Sequence, residues 1–596
     1  MSFQNLLPST IRAANDRQND NDGHVGLQNS FTSKLKYFIR SQALLHTFMQ
    51  DYPHLKGVEF VEQILQHFEF TFQTKWNEKE RIPAEGRVVI ISNHPLGTLD
   101  AAALFKLVSE VRSDVKVVVE HGEEQLESLS PIVLPLNSSN LALDENTTAT
   151  FEALLSFLEQ EGALIIFPSQ DLSRARLGGV TDTKWRCDFL QLALDAKSNV
   201  LPVFIDATNS AMFYSLSAIY KPLSSLMLVP EMYKKNNKAV EIRVGNLIAN
   251  ESFSSCGLPV KTQVKLFKKH VSRIGRGKQG IWPTQSQIAH PEPRKDLKQL
   301  ISSQVRLGET KDGKHIYLYK NEGSCCVLRE IGRLREIAFR AVGEGTGQRR
   351  DIDQYDASYS QLVLWDECNL EIVGAYRLAA AGEIIQQKGV SGLYSSGLFK
   401  YHEDMIPLLA QGAELGRSFV QPKYWGKRSL DYLWYGIGAY LKENPQVRYL
   451  FGPVSISNDI PKTAKDLLVY FFTLYFGLQH SNLNVDRDKP LALARYPYKL
   501  SEGLVSNLKT NFTGQDYRAD FKVLKHILSN MGCSIPTLYK QYCELCEPGG
   551  LTFLGFGVDP DFGDCVDGLV LVDTSKIKEK KRLRYIPFEC NLEDKV

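Results

Sequence analysis

Short apolar runs alternate with helical stretches over residues 87–246, and this alternation limits the possible folds more than any other feature of the sequence. Residues 147–160, for example, have the spacing of an amphipathic helix. The apolar runs are four to six residues long and lie at 88–91, 115–119, 163–167 and 200–205. Runs of this length separated by helices are typical of an α/β domain, whose helices connect the strands of a sheet. We therefore predict an α/β domain over residues 81–280.

A second region of mixed character follows a break at residues 281–314. This stretch is rich in Pro, Gln and charged residues and lacks an apolar period, which predicts a linker. Beyond it the pattern predicts helices at 328–340 and 430–441 and strands at 360–365 and 372–378. A chain of 596 residues is too long to fold around a single hydrophobic core. The predicted fold class is therefore α/β, with a second α/β domain over residues 315–596.

The amino-terminal region, residues 1–80, is predicted to be helical because apolar residues recur at helical spacing over residues 33–72. Two interpretations of these amphipathic helices stay open: a cap packed on the core, or helices that lie on a membrane surface. The longest apolar stretch, residues 467–478, has about a dozen residues, whereas a helix needs roughly 20 to cross a bilayer. The sequence therefore predicts a protein that does not span a membrane.

Charge and cysteine content narrow the class of partner and the compartment. Lys and Arg number 70 against 68 Asp and Glu, which excludes a protein that binds nucleic acid through gross positive charge. Ten Cys, two of them adjacent at Cys325 and Cys326, fit a reducing compartment better than a disulfide framework. Residues 1–30 have no pattern of a secretory signal, so a cytoplasmic location is expected.

A His and an Asp follow the first apolar run, at His94 and Asp100, and a helical stretch begins at Ala101. At a strand-to-helix turn a carboxylate can hold one imidazole nitrogen while the other nitrogen takes a proton from an alcohol. That chemistry suits acyl transfer to a hydroxyl group. A His in a turn is otherwise a structural residue, and the spacing alone does not decide between the two.

The blocks around this pair resemble those of the glycerolipid O-acyltransferase family. Asn93-His94 with Asp100 is similar to the first block, and residues 165–168 and 201–204 are similar to two later blocks, in the family's order. The resemblance implies that His94 is the catalytic base and that Asp100 orients it. It also implies a set of substrate-binding residues: Asn93, Gly97, Phe167, Pro168, Ser169 and Arg174.

Two departures from the family's pattern concern the acceptor. Five residues separate His94 from Asp100 where the family has four, and Ser-Gln at residues 169–170 replaces Glu-Gly. The second block helps to hold the acceptor's phosphate in the family, so its change indicates a different head group. Arg174 and Arg176 remain to pair with a carboxylate, although Arg174 is equally well interpreted as a surface charge. Similar departures resemble the subgroup that acylates aminolipids.

In the second domain, a turn with Gly and Lys leads into an amphipathic helix at residues 420–430. Such a turn presents free backbone N–H groups and the positive end of the helix dipole, which suits a phosphate. The stretch resembles motif A of the GNAT N-acyltransferase superfamily, with Arg428 in place of its second Gly. The resemblance implies that this turn binds the pantetheine arm of the acyl donor through Val420, Trp425, Gly426, Lys427, Arg428 and Ser429.

Further features within residues 329–573 resemble the GNAT branch that uses acyl carrier protein, which includes ornithine N-acyltransferases. The resemblance implies that Glu414 is the base for the amine and that Arg417 binds substrate. It also implies that Asp353 and Asp356 bind the ammonium group of an amino acid. The alternative for Glu414 and Arg417 is an ion pair at helical spacing.

Two other motifs indicate no cofactor. The glycine-rich loop at residues 343–347 matches neither nucleotide-binding spacing, and we interpret it as a mobile substrate loop. Cys543 and Cys546 have no second ligand pair at a matching distance, so no metal site is predicted.

The two domains together resemble bifunctional bacterial ornithine-lipid synthases. This resemblance implies that the second domain N-acylates ornithine with a 3-hydroxyacyl group and that the first domain O-acylates its 3-hydroxyl. No bound cofactor is implied, because the co-substrate is an acyl thioester of acyl carrier protein or coenzyme A. Two alternatives stay open: a lysophospholipid (1-acylglycerol-3-phosphate) O-acyltransferase with an accessory carrier-protein-binding domain, and an inactive scaffold on a membrane surface.

Two basic clusters match the expected partners. Residues 261–278 hold seven Lys or Arg and no acidic residue, and residues 576–584 hold six with one Glu. Acyl carrier proteins are acidic, and anionic lipid head groups attract the same charges. We expect acyl carrier protein, an amino acid and a lipid surface as partners, and a peripheral position on the inner face of the bacterial cytoplasmic membrane.

Overall fold

The structure is a computed structural model, and it describes residues 51–120, 127–136, 145–169, 174–176, 179–210, 231, 239–321, 325–501, 503, 508 and 510–586. The chain divides into two compact units, Met1–His290 and Pro291–Val596, called here the amino-terminal and carboxy-terminal units. Both combine helices with a sheet, which confirms the predicted α/β fold class. Residues 1–50, with the first of the predicted amphipathic helices, lie outside the described residues.

The described elements of the amino-terminal unit alternate as the apolar pattern predicts. In chain order they are α1 (Gly57–His67), β1 (Thr71–Gln73), α2 (Trp76–Lys79), β2 (Val88–Ser92), α3 (Thr98–Ser109), β3 (Val115–Glu120), β4 (Val133–Leu136), α4 (Glu145–Glu159), β5 (Ala163–Ile166), β6 (Arg174–Arg176), β7 (Gly179–Thr181), α5 (Asp188–Asp195), β8 (Asn199–Asp206), β9 (Ala239–Val244), α6 (Asn250–Ser254) and α7 (Val260–Gly275).

Among these described elements, seven strands form one sheet in the order β1-β9-β8-β2-β5-β3-β4. All neighbours are parallel except β8 and β9. Strand β2 lies in the middle and is buried on both faces: Val88 and Ile90 pack with α1 and α3, and Val89 and Ile91 pack with α4, α5 and α7. This burial on both faces explains the unbroken apolar run of β2. The carboxyl end of β2 lies at the end of the parallel strands where ligands bind in open α/β sheets.

The carboxy-terminal unit holds a longer series of described elements. They are α8 (Arg294–Ser302), β10 (Val305–Glu309), β11 (Lys314–Lys320), α9 (Cys326–Arg340), β12 (Ser360–Asp366), β13 (Glu371–Ala380), α10 (Ala381–Lys388), β14 (Phe399–Tyr401), α11 (Ile406–Ala410), β15 (Gly412–Val420), α12 (Ser429–Glu443), β16 (Tyr449–Ile456), α13 (Lys462–Phe476), β17 (Ala492–Ala494), α14 (Tyr517–Asn530), α15 (Thr537–Leu545), β18 (Leu551–Asp559), β19 (Cys565–Asp573) and α16 (Glu579–Tyr585).

Within the described part of this unit, eight strands form a sheet in the order β10-β11-β12-β13-β15-β16-β19-β18. Neighbouring strands are antiparallel except β15 and β16, which are parallel. Helices α12 and α13 bury their apolar side chains against one face, and α9 packs against the other. Buried residues on these two faces come from nearly the whole carboxy-terminal unit, from residue 297 to residue 585.

The segment 281–314, predicted as a linker, has regular structure over much of its length. Helix α8 and strand β10 lie within it, and Leu297 and Ile301 of α8 are buried in the core beneath α9. Helix α8 packs on the core through only these two apolar residues, and its other residues are mostly polar. The sequence of α8 therefore looks hydrophilic, although the helix is part of the carboxy-terminal unit. The division between the units falls inside this segment, after His290.

The apolar stretch at residues 467–478 belongs mostly to helix α13. Leu467, Leu468, Phe471 and Phe472 are buried in the core of the carboxy-terminal unit, which accounts for their apolar character. No helix in the described ranges combines the length and the apolar character that crossing a bilayer requires.

Candidate active sites

The turn between β2 and α3 brings His94 and Asp100 together. His94 Nδ1 lies 3.0 Å from Asp100 Oδ1, and Asp100 is completely buried while 23% of the His94 side chain is exposed. Asp100 Oδ2 accepts hydrogen bonds from the backbone N–H groups of Leu96 at 2.7 Å and Gly97 at 3.3 Å. One carboxylate therefore holds both the imidazole and the turn that carries it, and the five intervening residues fit this arrangement.

Gly97 is required for the shape of this turn. Its φ of +87° is a conformation that other residues rarely adopt, and it places the chain at the start of α3. The predicted substrate-binding role of Gly97 remains a prediction.

Asn93 fixes the turn to the neighbouring strand β8. Its Nδ2 donates to the carbonyl of Ile205 at 2.9 Å, and its Oδ1 accepts from the Ile205 N–H at 2.8 Å. A second amide, Asn209 Nδ2, donates to the carbonyl of Pro95 at 2.9 Å. These contacts hold in place the backbone next to His94, and the predicted role of Asn93 in substrate binding remains a prediction.

The second block forms the wall beside His94. The rings of Phe167 and His94 lie 4.4 Å apart at an interplanar angle of 39°. The carbonyl of Pro168 accepts from the Arg186 N–H at 2.9 Å, and Ser169 Oγ is 2.8 Å from Thr183 Oγ1. The structure thus brings the predicted Phe167 to the dyad, and the substrate-binding roles of Pro168 and Ser169 remain predictions. Gln170 lies outside the described residues, and Arg174 is described only as part of the backbone of β6.

Asp182 is a residue of this site that sequence reasoning missed. It is buried, its Oδ1 lies 3.4 Å from the backbone N–H nitrogen of His94, and its Oδ2 accepts from Trp185 Nε1 at 2.9 Å. Lys268 of α7 donates to the carbonyls of Asp182 and Thr183 at 2.8 and 2.6 Å. A lone Asp 88 residues after His94 has no local pattern that would mark it.

In the carboxy-terminal unit, the parallel strands β15 and β16 pair and then separate. Their register runs only from Gly412 opposite Tyr449 to Glu414 opposite Phe451. Gly452 follows at once, with a φ of +155°, and a Cβ there would stand 1.9 Å from the carbonyl oxygen of Leu415. Only Gly permits this approach. The pairing of the two strands ends at Glu414, so the backbone of β15 beyond that residue is not paired with β16.

Two buried arginines hold two aspartates in the carboxy-terminal unit. Arg335 Nη1 donates to Asp356 at 2.9 Å, and Arg377 Nη1 donates to Asp353 at 2.6 Å. Burial alone would raise the pKa of Asp356, but the charges of Arg335 and Arg377 hold it below its usual value. Asp356 is 1% exposed. The structure therefore gives Asp356 a structural partner, and its predicted role in binding an ammonium group stays a prediction.

Glu414, predicted as the base, is fully enclosed. Its Oε1 accepts from the Ser395 N–H at 2.7 Å, and its Oε2 accepts from the Tyr394 N–H at 3.1 Å and from the hydroxyl of Tyr359. Burial raises the pKa of Glu414. Tyr359 is a partner that sequence reasoning did not single out.

The alternative of a helical ion pair between Glu414 and Arg417 is wrong, because both residues lie in strand β15. Arg417 has a φ of +46°, next to an irregularity in the pairing of β15 with β13. Its guanidinium lies 5.0 Å from the ring of Tyr394 and 4.3 Å from that of Phe562, and its Nε is 3.1 Å from Asp351 Oδ2.

The predicted donor turn connects β15 to α12. Gly426 has a φ of +73° and open space where a Cβ would stand, and α12 begins three residues later at Ser429. Trp425 is 45% exposed, and its Nε1 donates to the carbonyl of Val420 at 2.7 Å. Lys427 and Arg428 complete a turn that leads into a helix amino terminus beside the separated strands. This arrangement suits a bound phosphate.

The glycine-rich loop at residues 343–347 contacts strand β16. Glu344 is 9% exposed, and its Oε2 accepts from Ser455 Oγ of β16 at 3.0 Å. Thr346 donates through its N–H and its hydroxyl to Glu336 Oε2 at 3.2 and 2.8 Å. Burial raises the pKa of Glu344 to about 7, although Ser455 and Arg417 oppose the rise. The loop was predicted to contact substrate, but no single residue in it was chosen.

Comparison with known protein families matches each unit to an acyltransferase. Residues 34–275 match the family described as "Acyltransferase", and residues 334–435 match the family described as "Acetyltransferase (GNAT) domain". Both agree with the resemblances inferred from the sequence.

Three curated relatives extend this result. A glycine N(alpha)-acyltransferase of Bacteroides thetaiotaomicron is 33% identical over 50% of this chain and 89% of its own length. A lyso-glycine lipid O-acyltransferase of Phocaeicola vulgatus is 26% identical over 38% of this chain and 82% of its own length. An L-ornithine N(alpha)-acyltransferase of Brucella abortus is 28% identical over 24% of this chain and 60% of its own length. The chain therefore belongs to the acyltransferases, as a fusion of an acyltransferase domain with a carboxy-terminal GNAT domain of the amino-acid N-acyltransferase type.

Proposed function

We propose that the chain makes an acyl-amino-acid lipid in two steps. The carboxy-terminal unit joins a 3-hydroxyacyl group to the α-amino group of an amino acid, and the amino-terminal unit esterifies the 3-hydroxyl of the product. The observation that carries this proposal is the presence, in one chain, of a His–Asp dyad at 3.0 Å and of a split sheet with a donor turn. Relatives whose names state each of the two activities support this pair of activities.

In the ester step, His94 Nε2 takes the proton of the lyso-lipid hydroxyl as its oxygen attacks the acyl thioester. Asp100 faces Nδ1, which keeps the ring in place and stabilises the imidazolium that forms. The C–O bond forms as the C–S bond breaks, and the proton passes from His94 to the leaving sulfur. Phe167 limits the ring on one face, so the acceptor approaches from the exposed side of His94.

In the amide step, the thioester binds along the donor turn, with its phosphate against residues 425–429. Separated strands leave backbone N–H groups of β15 available to the thioester carbonyl and its oxyanion. Arg417 is the group proposed to hold the carboxylate of the amino acid, because a guanidinium pairs with a carboxylate through two parallel hydrogen bonds. Ornithine was predicted as the amino acid, and the names of the relatives make glycine an equal candidate.

Docking of the donor is proposed at helix α7. Lys261, Lys265 and Lys269 are exposed at intervals of four residues and so form one basic stripe, while Lys268 contacts the loop that holds Asp182. An acidic acyl carrier protein would meet this stripe near the ester site, and anionic lipid would hold the protein at the membrane surface. Lys576, Lys580 and Arg584 offer a similar surface on the carboxy-terminal unit.

The experiment is mass spectrometry of total lipids from a bacterial host without aminolipids, expressing the intact chain or its His94→Ala variant. We expect a two-chain aminolipid from the intact chain and a one-chain lyso form from the variant, and the head-group fragment distinguishes ornithine from glycine. Changed phosphatidic acid without any new aminolipid would overturn the proposal in favour of a lysophospholipid acyltransferase. Unchanged lipids in both strains would favour a scaffold.

A further inference from the structure

Glu344 combines burial with one unengaged carboxylate oxygen. The residue is 9% exposed, and its backbone N–H donates to the carbonyl of Phe339 at 2.9 Å, which fixes the loop to the end of α9. Its Oε2 is held by Ser455, whereas its Oε1 accepts no hydrogen bond from any residue within the described ranges. A buried carboxylate held at one oxygen and open at the other is arranged to contact a ligand.

The position of Ser455 places this open oxygen at the split between β15 and β16. Ser455 lies in β16 beyond Phe451, the last residue that pairs with β15, and it faces Asp567 across the pairing of β16 with β19. Asp567 is buried, and its Oδ1 has a long contact of 3.9 Å with Cys565 Sγ. Glu344 therefore stands where the acyl carbonyl and the incoming amine are proposed to meet.

We propose that Glu344 is the catalytic base of the amide step, the group whose Oε1 takes a proton from the ammonium of the amino acid. This inference rests on the proposed function of the carboxy-terminal unit. Arg417, which interacts electrostatically with Glu344, is placed to hold the carboxylate of the same amino acid. The zwitterionic amino acid would thus bind with its carboxylate at Arg417 and its ammonium group at Glu344.

The step balances in bonds and protons. Glu344 accepts one proton from the ammonium, and the freed nitrogen lone pair forms a C–N bond at the thioester carbon. Collapse of the tetrahedral adduct restores the C=O bond and breaks the C–S bond. The departing sulfur takes the second proton of the nitrogen and leaves as the carrier thiol, while Glu344 returns its proton to solvent.

Glu414 is less suited to this role because its two oxygens are already occupied. Three donors, the N–H groups of Ser395 and Tyr394 and the hydroxyl of Tyr359, meet its carboxylate inside the core. Proton transfer to Glu414 would require a substrate to displace one of them. Glu414 then acts as a positioning residue that connects β15 to the segment at residues 394–395.

The pH behaviour of Glu344 depends on the groups that face it from the packed elements. They are Ser455, Arg417, Asp459, Asp567, Cys565 and Tyr539. Burial is the largest cause that raises the pKa of Glu344, to about 7, and the Ser455 hydrogen bond and the Arg417 charge oppose it. A base with this pKa is half ionised at neutral pH and is therefore poised to accept a proton.

The test uses the purified full chain with an acyl-acyl carrier protein thioester and either glycine or ornithine, measuring thiol release against pH. We expect Glu344→Gln to lower kcat on the order of 10²- to 10⁴-fold, with the KM for the thioester changed less than about threefold. The fall in wild-type rate below about pH 7 should disappear in this variant. Glu344→Asp should restore part of the rate. Glu443→Gln, an exposed change on α12, is the matched control and should behave as the wild type.

A second variant keeps the inference testable if Glu344→Gln does not fold. Ser455→Ala removes the hydrogen bond that lowers the pKa of Glu344, so the acidic limb of the rate profile should move to higher pH. A wild-type rate in Glu344→Gln, or an unmoved limb in a folded Ser455→Ala, overturns the inference while leaving the proposed function in place. A wild-type chain that acylates neither amino acid overturns both.

Discussion

In the amino-terminal unit the reactive pair comes from a single turn, whereas in the carboxy-terminal unit the charged groups come from helix α9 and from strands and loops between residues 335 and 567. His94 and Asp100 are six residues apart, and the imidazole is partly exposed. Arg335, Arg377 and Glu414 are each 1% exposed or less. The first site is a local motif supported by a sheet, and the second exists only when the whole sheet has formed.

We therefore expect the loss of a side chain to have different consequences in the two sites. Removing the partly exposed imidazole of His94 deletes chemistry and leaves the fold, because the buried Asp100 keeps two donors, the backbone N–H groups of Leu96 and Gly97. Removing a group from the buried network leaves an opposite charge uncompensated, which costs stability before it costs activity.

His94→Ala should abolish the ester step and leave the amide step intact. A general base typically contributes about 10²- to 10⁴-fold in rate, and no neighbouring group in the described part of the turn replaces it. The measurement is the ratio of two-chain to one-chain aminolipid, together with the melting temperature of the purified chain. His54→Ala, an exposed change in the same unit, is the control. A variant that also loses the amide step would contradict the independence of the two sites.

Arg335→Met should unfold the carboxy-terminal unit more easily, with little effect on the other unit. The side chain is fully buried and donates to Asp356 and to Gln361 Oε1, so among the described residues its loss leaves Arg377 as the one cationic partner of the buried Asp356 carboxylate. Breaking such a pair costs about 3–5 kcal/mol in the free energy of unfolding.

Hydrogen exchange in denaturant, followed separately in peptides of each unit, would measure this effect. Arg518→Met is the control, because Arg518 is exposed and an exposed charge contributes about 1 kcal/mol or less. If Arg335→Met costs no more than its control, the network does not stabilise the fold and the contrast between the units is lost.

A site could be predicted from the sequence when its residues lie close together along the chain. The apolar run of β2, the turn at Gly97 and the start of α3 are adjacent in sequence, so the dyad could be predicted from one segment. Glu344 and Ser455 are 111 residues apart, and their contact depends on the point where β15 and β16 separate. No periodicity encodes that point. Helix α8 was missed for a related reason, since two buried residues sufficed to attach it to the core.

The two units should respond to pH in opposite directions between pH 5 and pH 7. In the amino-terminal unit, burial and then the charge of Arg273 lower the pKa of His270 to about 4 from its ordinary 6.5. The unfolded chain takes up that proton first, so stability is complete above pH 6.5 and is lost as the pH falls towards 4. The effect is at most about 3.5 kcal/mol, at about 1.4 kcal/mol per pKa unit.

In the carboxy-terminal unit the sign is reversed, because burial raises the pKa of Glu344 to about 7 from its ordinary 4.5. The unfolded chain loses the proton first, so stability is complete below pH 4.5 and is lost as the pH rises towards 7. Hydrogen exchange of each unit at pH 5, 6 and 7, corrected for intrinsic rates, would measure both trends. His270→Asn and Glu344→Gln should each flatten the trend of their own unit alone, and parallel trends in the two units would contradict the assignment.

The smallest effect concerns a turn in the carboxy-terminal unit that is as local as the dyad. Gly426→Ala should raise the KM for the thioester of the amide step about five- to tenfold, because a Cβ at a φ of +73° costs about 1–2 kcal/mol and shifts the backbone that is proposed to hold the phosphate. Nothing stands within 4 Å of that Cβ position, so the cost comes from the backbone alone. Gly532→Ala has the same open space at a φ of +70° and is the matched control. It should lose similar stability with an unchanged KM, whereas equal KM values in the two variants would place the donor elsewhere.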